Sequence, residues 1–371
     1  MRAERAVEQN PAVLEPLQRV RSGGDDDVVP CPVEHRSDRS AHRAGAHDPD
    51  PHPPNSRLFG MPAPEHASQG VTGILLVDKP EEITSHGVVA RIRRIANTRK
   101  VGHAGTLDPM ATGLLVVGIG TATRLLTYFV GLDKQYLATI RLGRATTTDD
   151  REGEPLGDEV DATSLDSARI DAAVADLTGP IMQAPSSVSA IKVDGVRSYT
   201  RVRSGEEVDL PPRPVTVSEF TVLGASRPSG GPAGALDLDV RVTCSSGTYI
   251  RALARDLGRA LGTGGHLTAL RRTRVGPFAV DEAAPLTELM DGRPAEPLPA
   301  ADAAGRLLPV VHLDDDARTA DIRNGKRVPL PGVDDGSPVA ALGPDGVLLA
   351  LVEVKRGVAR VLTGFPQEAR P

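Results

Sequence analysis

Asp108 stands in HAGTLDPMATG, residues 103–113, among glycine, threonine, alanine and the proline that follows it. A turn alone would account for an Asp-Pro pair, because proline fixes φ and aspartate accepts bonds from nearby amides. A carboxylate in a loop of small residues is also a group that acts as nucleophile or base. The chain has four tyrosines and no tryptophan. Tyr136 and Tyr249 therefore stand out, each readable as core or as a flat face with a hydroxyl. Arg251 falls in the first turn of the helix that follows Tyr249, where a cation opposes the helix dipole. That placement calls for an anion beside it, a carboxylate or a phosphate, and a basic turn at a helix start suits phosphate.

Other chemistries are excluded by what the loops lack. GTLDPMATG has no Gly-Lys-Ser/Thr ending, GIGTATR follows no dinucleotide fingerprint, and no G-x-S-x-G elbow occurs. Two cysteines without a CxxC or a Cys/His cluster make neither a disulfide framework nor a zinc site, so no metal is expected. Cys244 ends the alternating run Leu236, Leu238, Val240, Val242 and belongs on a buried strand face. No apolar stretch approaches the roughly 18 residues of a membrane span, and no signal-peptide core opens the chain. A cytoplasmic protein without membrane contact is the expectation. The net charge of -6 leaves nucleic acid only local basic patches. One patch is Arg91, Arg93, Arg94, Arg99 and Lys100; the other is Arg241, Arg251, Arg255, Arg259, Arg271, Arg272 and Arg274.

The elements that position these residues follow from periodicity. ILLV at 74–77 reads as a strand, and Val88, Ile92 and Ile95 recur at helical spacing behind a cap at Thr84 or Ser85. LLVVGIG at 114–120 reads as a buried strand behind the Asp108 loop, and 136–142 alternates as another. Residues 165–177 read as a helix, and Ile250, Leu253, Leu257 and Leu261 form the inner face of a second. Strands and helices alternate without a regular βαβ rhythm, so the expected fold is α+β, a mixed and largely antiparallel sheet with flanking helices. Residues 1–70 are polar and aperiodic, an extension expected to be disordered, with Met61 as the expected physiological start. A Pro/Ala linker at 290–304 leads into short apolar runs over 305–367, a small β-rich unit, marginal alone and docked on its neighbour.

Five motifs in order then carry a family likeness: LLVDKP, GHAGTLDPMATGLLVVGIGTATRL, DKQYLATIRLG, PSSVSAIKVDG and CSSGTYIRALARDLG. Over about 71–285 the chain closely resembles the bacterial tRNA pseudouridine-55 synthases, the TruB family. The resemblance implies a pseudouridine synthase fold over 71–290 with an RNA-pinching thumb near 183–206, and a PUA-like C-terminal domain at 305–367. It implies isomerisation of uridine 55 in the tRNA T-loop by a monomer that binds T-loop and stem, with no cofactor and no metal. Asp108 then matches the catalytic aspartate, Tyr136 the tyrosine stacked on the target base, and Arg251 the partner of Asp108. Tyr249 and Leu270 match pocket-lining residues, His103 a contact to the flipped-out RNA, and Lys79 a basic residue of the first motif that binds substrate. Val188 departs from the family, which has an aromatic residue before Ser-Ala.

The chemistry agrees with that likeness. A base inside a folded loop must be extruded, at a cost of about a few kcal/mol, before its glycosidic bond can be reached. Asp108 can then add to the base, attack the ribose or abstract its 2′ proton. Two other readings use the same patches: a catalytically silent tRNA-binding or tRNA-folding module, and an isomerase of this fold acting on another RNA.

Overall fold

The computed structural model describes residues 71–186, 192–193, 196–197, 210–229 and 231–366. The expectations for the N-terminal extension, Met61 and Val188 lie outside the described residues, as does most of the thumb segment.

Among the described residues, ten strands form one sheet. In chain order they include β1 (Gly73–Lys79), β2 (Val101–Ala104), β3 (Thr112–Ile119), β4 (Lys134–Leu142) and β5 (Gly179–Gln183). They continue with β6 (Arg213–Ser226), β7 (Leu236–Cys244), β8 (Gly265–Val275), β9 (Phe278–Ala279) and β10 (Ala284–Pro285). The order is β10-β1-β3-β8-β4-β7-β6-β5, with β2 on β3 and β9 on β8. Only the β1–β10 and β3–β8 contacts are parallel, so the sheet is mixed and largely antiparallel, as the sequence predicts.

Helices cover both faces. α1 (Ser85–Ile95) lays Val88, Val89 and Ile92 on Leu75, Val77, Leu115 and Val117. α2 (Ser167–Asp176) and α3 (Ile250–Leu261) pack with Ile140, Val240, Val242 and Leu267. β1 and β3 are apolar at nearly every position because both of their faces are buried: Ile74, Leu76, Leu114 and Val116 point into a third cluster with Phe129 and Phe278.

That third cluster does not stop at the first sheet. β11 (Val310–His312), β12 (Val328–Pro329), β13 (Gly336–Leu342), β14 (Leu348–Lys355) and β15 (Val358–Gly364) make a second sheet, ordered β11-β13-β14-β15-β12. Its Ala340, Leu342, Leu348 and Leu351, with Phe365, pack into the Phe129–Phe278 cluster. Arg124 Nη1 donates to Gly364 O at 2.6 Å, and the Tyr128 and Thr363 hydroxyls lie 2.9 Å apart. Removing the chain from residue 305 onward would therefore strip one side of a shared core. Its expected effect is a melting temperature lower by roughly 10 °C or more, measured by thermal unfolding, beyond any loss of RNA affinity.

Candidate active site

The loop between β2 and β3 has its own apolar footing: Leu107, Met110 and Ala111 are buried in the cluster that holds Tyr136, Ile250 and Leu270. Four groups grip its backbone. Thr84 caps α1 through Gly87 N at 2.9 Å, which leaves the buried Ser85 free to accept from Leu107 N at 2.8 Å and to donate to Leu107 O at 3.1 Å. Glu82 N donates to Pro109 O at 2.9 Å, and Ala111 N to Asp108 O at 3.1 Å. Arg272 donates to Gly105 O and Thr106 O, at 3.1 and 3.4 Å. Gly113, where the loop enters β3, has φ +100 and faces β8 so closely that a Cβ would lie 2.3 Å from Arg272 O. Only glycine satisfies both demands.

What the loop leaves open is the Asp108 side chain, 36% exposed, against 5% for the Arg251 side chain beside it. Arg251 Nε meets Asp108 Oδ2 at 2.9 Å. Its Nη1 lies 3.4 Å from Asp150 Oδ2 and donates to Thr148 O at 3.0 Å. The anion that the helix dipole calls for is thus a pair of carboxylates. Asp150 is itself fixed by the Thr148 hydroxyl and by Glu152 N, 3.0 Å from Oδ1. One turn along α3, Arg255 repeats the arrangement, with Asp149 at 3.3 Å and Ala184 O at 2.7 Å. The acidic turn TTTDD, which reads in sequence as a simple connection, is therefore clamped onto the start of α3.

Tyr136 lies on β4 between Val242 of β7 and Arg272 of β8. Burial pushes its hydroxyl pKa up, while the adjacent Arg272 guanidinium, in contact with the hydroxyl, opposes the shift. Leu270, 7% exposed, belongs to the same apolar cluster. Tyr249 is the N-cap residue of α3, half-buried. Its backbone is held by Gln183, whose Oε1 accepts from Tyr249 N at 2.8 Å and whose Nε2 donates to Tyr249 O at 3.1 Å. Gln183 is itself buried at the end of β5.

His103, the last residue but one of β2, stands edge-on to His86, ring centroids 5.4 Å apart. Burial, with His86 adding to it, lowers its pKa to about 4, so the ring is neutral near pH 7.

Lys79 lies beneath the Asp108 loop. Its side chain is 0% exposed, and Nζ donates to Ile83 O, Pro80 O and Pro109 O at 2.8, 2.9 and 3.2 Å. Burial lowers its pKa to about 8, opposed by the nearby Asp108 carboxylate. A side chain so enclosed offers no surface to a substrate; it ties the Asp108 loop to β1 from beneath.

The second basic patch is largely paired within the fold. Arg241 pairs with Glu219 at 2.7 Å, Arg271 with Asp78 at 2.7 Å, Arg274 with Asp133 at 2.7 Å, and Arg255 with Asp149 and Asp256. Most of its charge is therefore neutralised within the fold. In the first patch Arg91, Arg94 and Arg99 have no carboxylate partner among the described residues.

Among the described residues no group of three or more His, Cys, Asp or Glu side chains is arranged to hold a metal, and no helix is long and apolar enough to cross a membrane. Asp150, Arg272, Ser85 and Gln183 are the functional neighbours that sequence reasoning missed. Alternation along β8 was the available signal for Arg272, since it puts Arg271 and Arg272 on opposite faces.

Two family descriptions match the chain: the N-terminal domain of TruB family pseudouridylate synthases over residues 93–250, and the C-terminal domain of tRNA pseudouridylate synthase B over residues 251–299. The chain is 55% identical over 302 residues to tRNA pseudouridine synthase B of Leifsonia xyli subsp. xyli, covering 80% of this chain and 97% of that one. It is 55% identical over 298 residues to tRNA pseudouridine synthase B of Streptomyces coelicolor, covering 79% and 97%. Among solved structures, it is similar to one of an H/ACA RNP bound to a substrate RNA containing 2′-deoxyuridine, with a TM-score of 0.57, 27% identity, and 80% and 86% coverage.

Proposed function

The chain belongs to the TruB family of pseudouridylate synthases, and from that premise we propose that it isomerises uridine to pseudouridine at position 55 in the T-loop of tRNA. One observation carries the reading. Asp108 presents a half-open carboxylate, oriented by a buried arginine at 2.9 Å, on a loop whose Leu107, Met110 and Ala111 pack in the apolar cluster of Tyr136 and Leu270.

Substrate and product have the same atoms, so the reaction consumes no second substrate. The C1′–N1 bond must break, the detached uracil must turn, a C5–C1′ bond must form, and the proton on C5 must leave while N1 gains one. Asp108 supplies the negative charge, either as nucleophile or as base. Arg251 orients that carboxylate through the 2.9 Å ion pair. Tyr136, Leu270 and Tyr249 form the slot in which the flipped base stacks and turns. The neutral ring of His103 meets the displaced RNA. In this reading residues 71–290 are the catalytic unit with a thumb near 183–206, and 305–367 form a small PUA-like unit beside it.

The unpaired face of α1 and its following turn, with Arg91, Arg94 and Arg99, is where the phosphate backbone would run. Phosphate contacts release counterions, so affinity for tRNA should fall steeply as salt rises. Replacing the three arginines by alanine should lower the slope of log affinity against log salt by about 2, with little change in the rate once tRNA is bound.

The deciding experiment incubates the purified protein with unmodified tRNA and maps pseudouridine along the molecule. New pseudouridine at position 55 supports the proposal. Binding without conversion would point to a silent tRNA-folding module, and conversion confined to another site would relocate the target.

A further inference from the structure

We infer that Arg272 is a positioning residue of this reaction, a buried and carboxylate-free guanidinium that holds the Asp108 loop with its fork and the Tyr136 hydroxyl with its charge. The inference rests on the roles proposed above for Asp108 and Tyr136.

Arg272 is 1% exposed and heads the largest fully buried side chains of the described residues. A buried charge is normally paired, since removing an ion from water costs several kcal/mol. Its neighbour Arg271 follows the rule with a two-pronged bond to Asp78, at 2.7 and 3.0 Å. Arg272 does not. Its donors go to backbone carbonyls: Leu114 O at 2.8 Å on β3, Gly105 O at 3.1 Å and Thr106 O at 3.4 Å in the loop. No carboxylate pairs with it among the described residues.

The two jobs follow from that geometry. Three carbonyls from two chain segments converge on one planar fork, so loop and strand are locked in a single arrangement. β8 and β4 also set Arg272 directly opposite Tyr136, and the guanidinium contacts the hydroxyl. The charged and titratable groups facing that hydroxyl are Arg272, Asp108 and the thiol of Cys244. Burial, the largest influence, favours the phenol, and of these groups only Arg272 opposes it; it thereby lowers the cost of releasing the hydroxyl proton to solvent, after which the phenolate can take the proton leaving C5, N1 gains one from solvent and the phenol is regenerated. Carbonyl dipoles hold the guanidinium without cancelling its charge, which a carboxylate partner would do.

The test separates the charge from the fork. In protein made with 3-fluorotyrosine, the chain's four tyrosines report separately by fluorine NMR, and Tyr136→Phe identifies one of them. In Arg272→Gln the Tyr136 signal should titrate at higher pH than in the parent, by about one unit or more. Single-turnover conversion of bound tRNA should fall about 100-fold or more, with tRNA affinity changed less than about 3-fold. Arg272→Lys keeps the charge but loses the fork, so its Tyr136 should titrate near the parental pH and its turnover should lie between parent and Gln.

A folded Arg272→Gln protein whose Tyr136 titrates as in the parent overturns the inference. If Gln does not fold, the Lys variant decides: a Tyr136 titration displaced by a unit or more from the parent overturns it, and one matching the parent supports it. The titration needs no RNA, so it stands even if the parent fails to modify tRNA, an outcome that would instead remove the proposed function.

Discussion

Asp108→Asn should leave tRNA binding nearly intact and lower conversion by about 10,000-fold or more. The substitution isolates the charge. Asparagine has the same size, accepts the same backbone bonds and tolerates the same angles, so a residue that merely shaped the Asp-Pro turn would be replaced without loss. The structure makes a purely local role still harder to sustain, because the turn is held by others. Ser85 grips Leu107, Glu82 N and Lys79 grip Pro109, and Arg272 grips Gly105 and Thr106. The Asp108 carboxylate is released from that work and points at Arg251. Arg251 would keep the Asp150 carboxylate, 3.4 Å away, and its bond to Thr148 O, so the buried guanidinium stays compensated and the fold should hold. Single-turnover mapping with saturating enzyme, together with a binding isotherm, measures both quantities. Conversion near the parental rate in a folded Asp108→Asn protein would end the catalytic assignment.

Arg251→Lys should be the second most damaging change, with turnover down by about 100-fold to 1,000-fold and stability reduced. An arginine reaches Asp108 through Nε while Nη1 meets Asp150 and Thr148 O. A lysine presents one compact charge on a flexible stem and cannot serve both carboxylates from the same place. If it turns to Asp150, Asp108 loses its orientation; if it turns to Asp108, Asp150 remains buried, 5% exposed, with its charge uncompensated. Breaking a buried pair from one side costs about 3 kcal/mol or more. Thermal unfolding and single-turnover rates, taken also in Asp150→Asn and in the double variant, separate the outcomes. The lysine should lose less stability in the Asp150→Asn background than in the parent, since the stranded charge is then gone. Equal losses in both would show that Asp150 and Arg251 are not coupled.

Much of this site could be read before any coordinates were known, for reasons local to the chain. Residue type and loop composition singled out Asp108, the helix dipole at the start of α3 called for an anion beside Arg251, and two-residue alternation put Tyr136 on a strand. The same alternation set the buried faces of β4 and β7, and the apolar runs of β1 and β3 indicated strands, that of β3 a buried one.

Charge partners were beyond its reach. Seven arginines near one another in sequence suggested a surface for a polyanion, yet Arg271 finds Asp78 across 193 positions and Arg274 finds Asp133 across 141. A strand order in which β8 lies between β3 and β4 makes those meetings, and no local pattern encodes it. The surroundings of Lys79 show the same limit: whether an ammonium lies in solvent or against three carbonyls depends on what folds over it. Arg272 was hidden among its neighbours until register set it opposite Tyr136 and beneath the loop. The sequence by itself determined which chemical groups the protein has and which short elements carry them, because propensity and periodicity act over a few residues. Tertiary structure alone decided which of those charges are spent inside the fold and which remain for RNA, because electrostatic partners are set by distance in space and by burial from water.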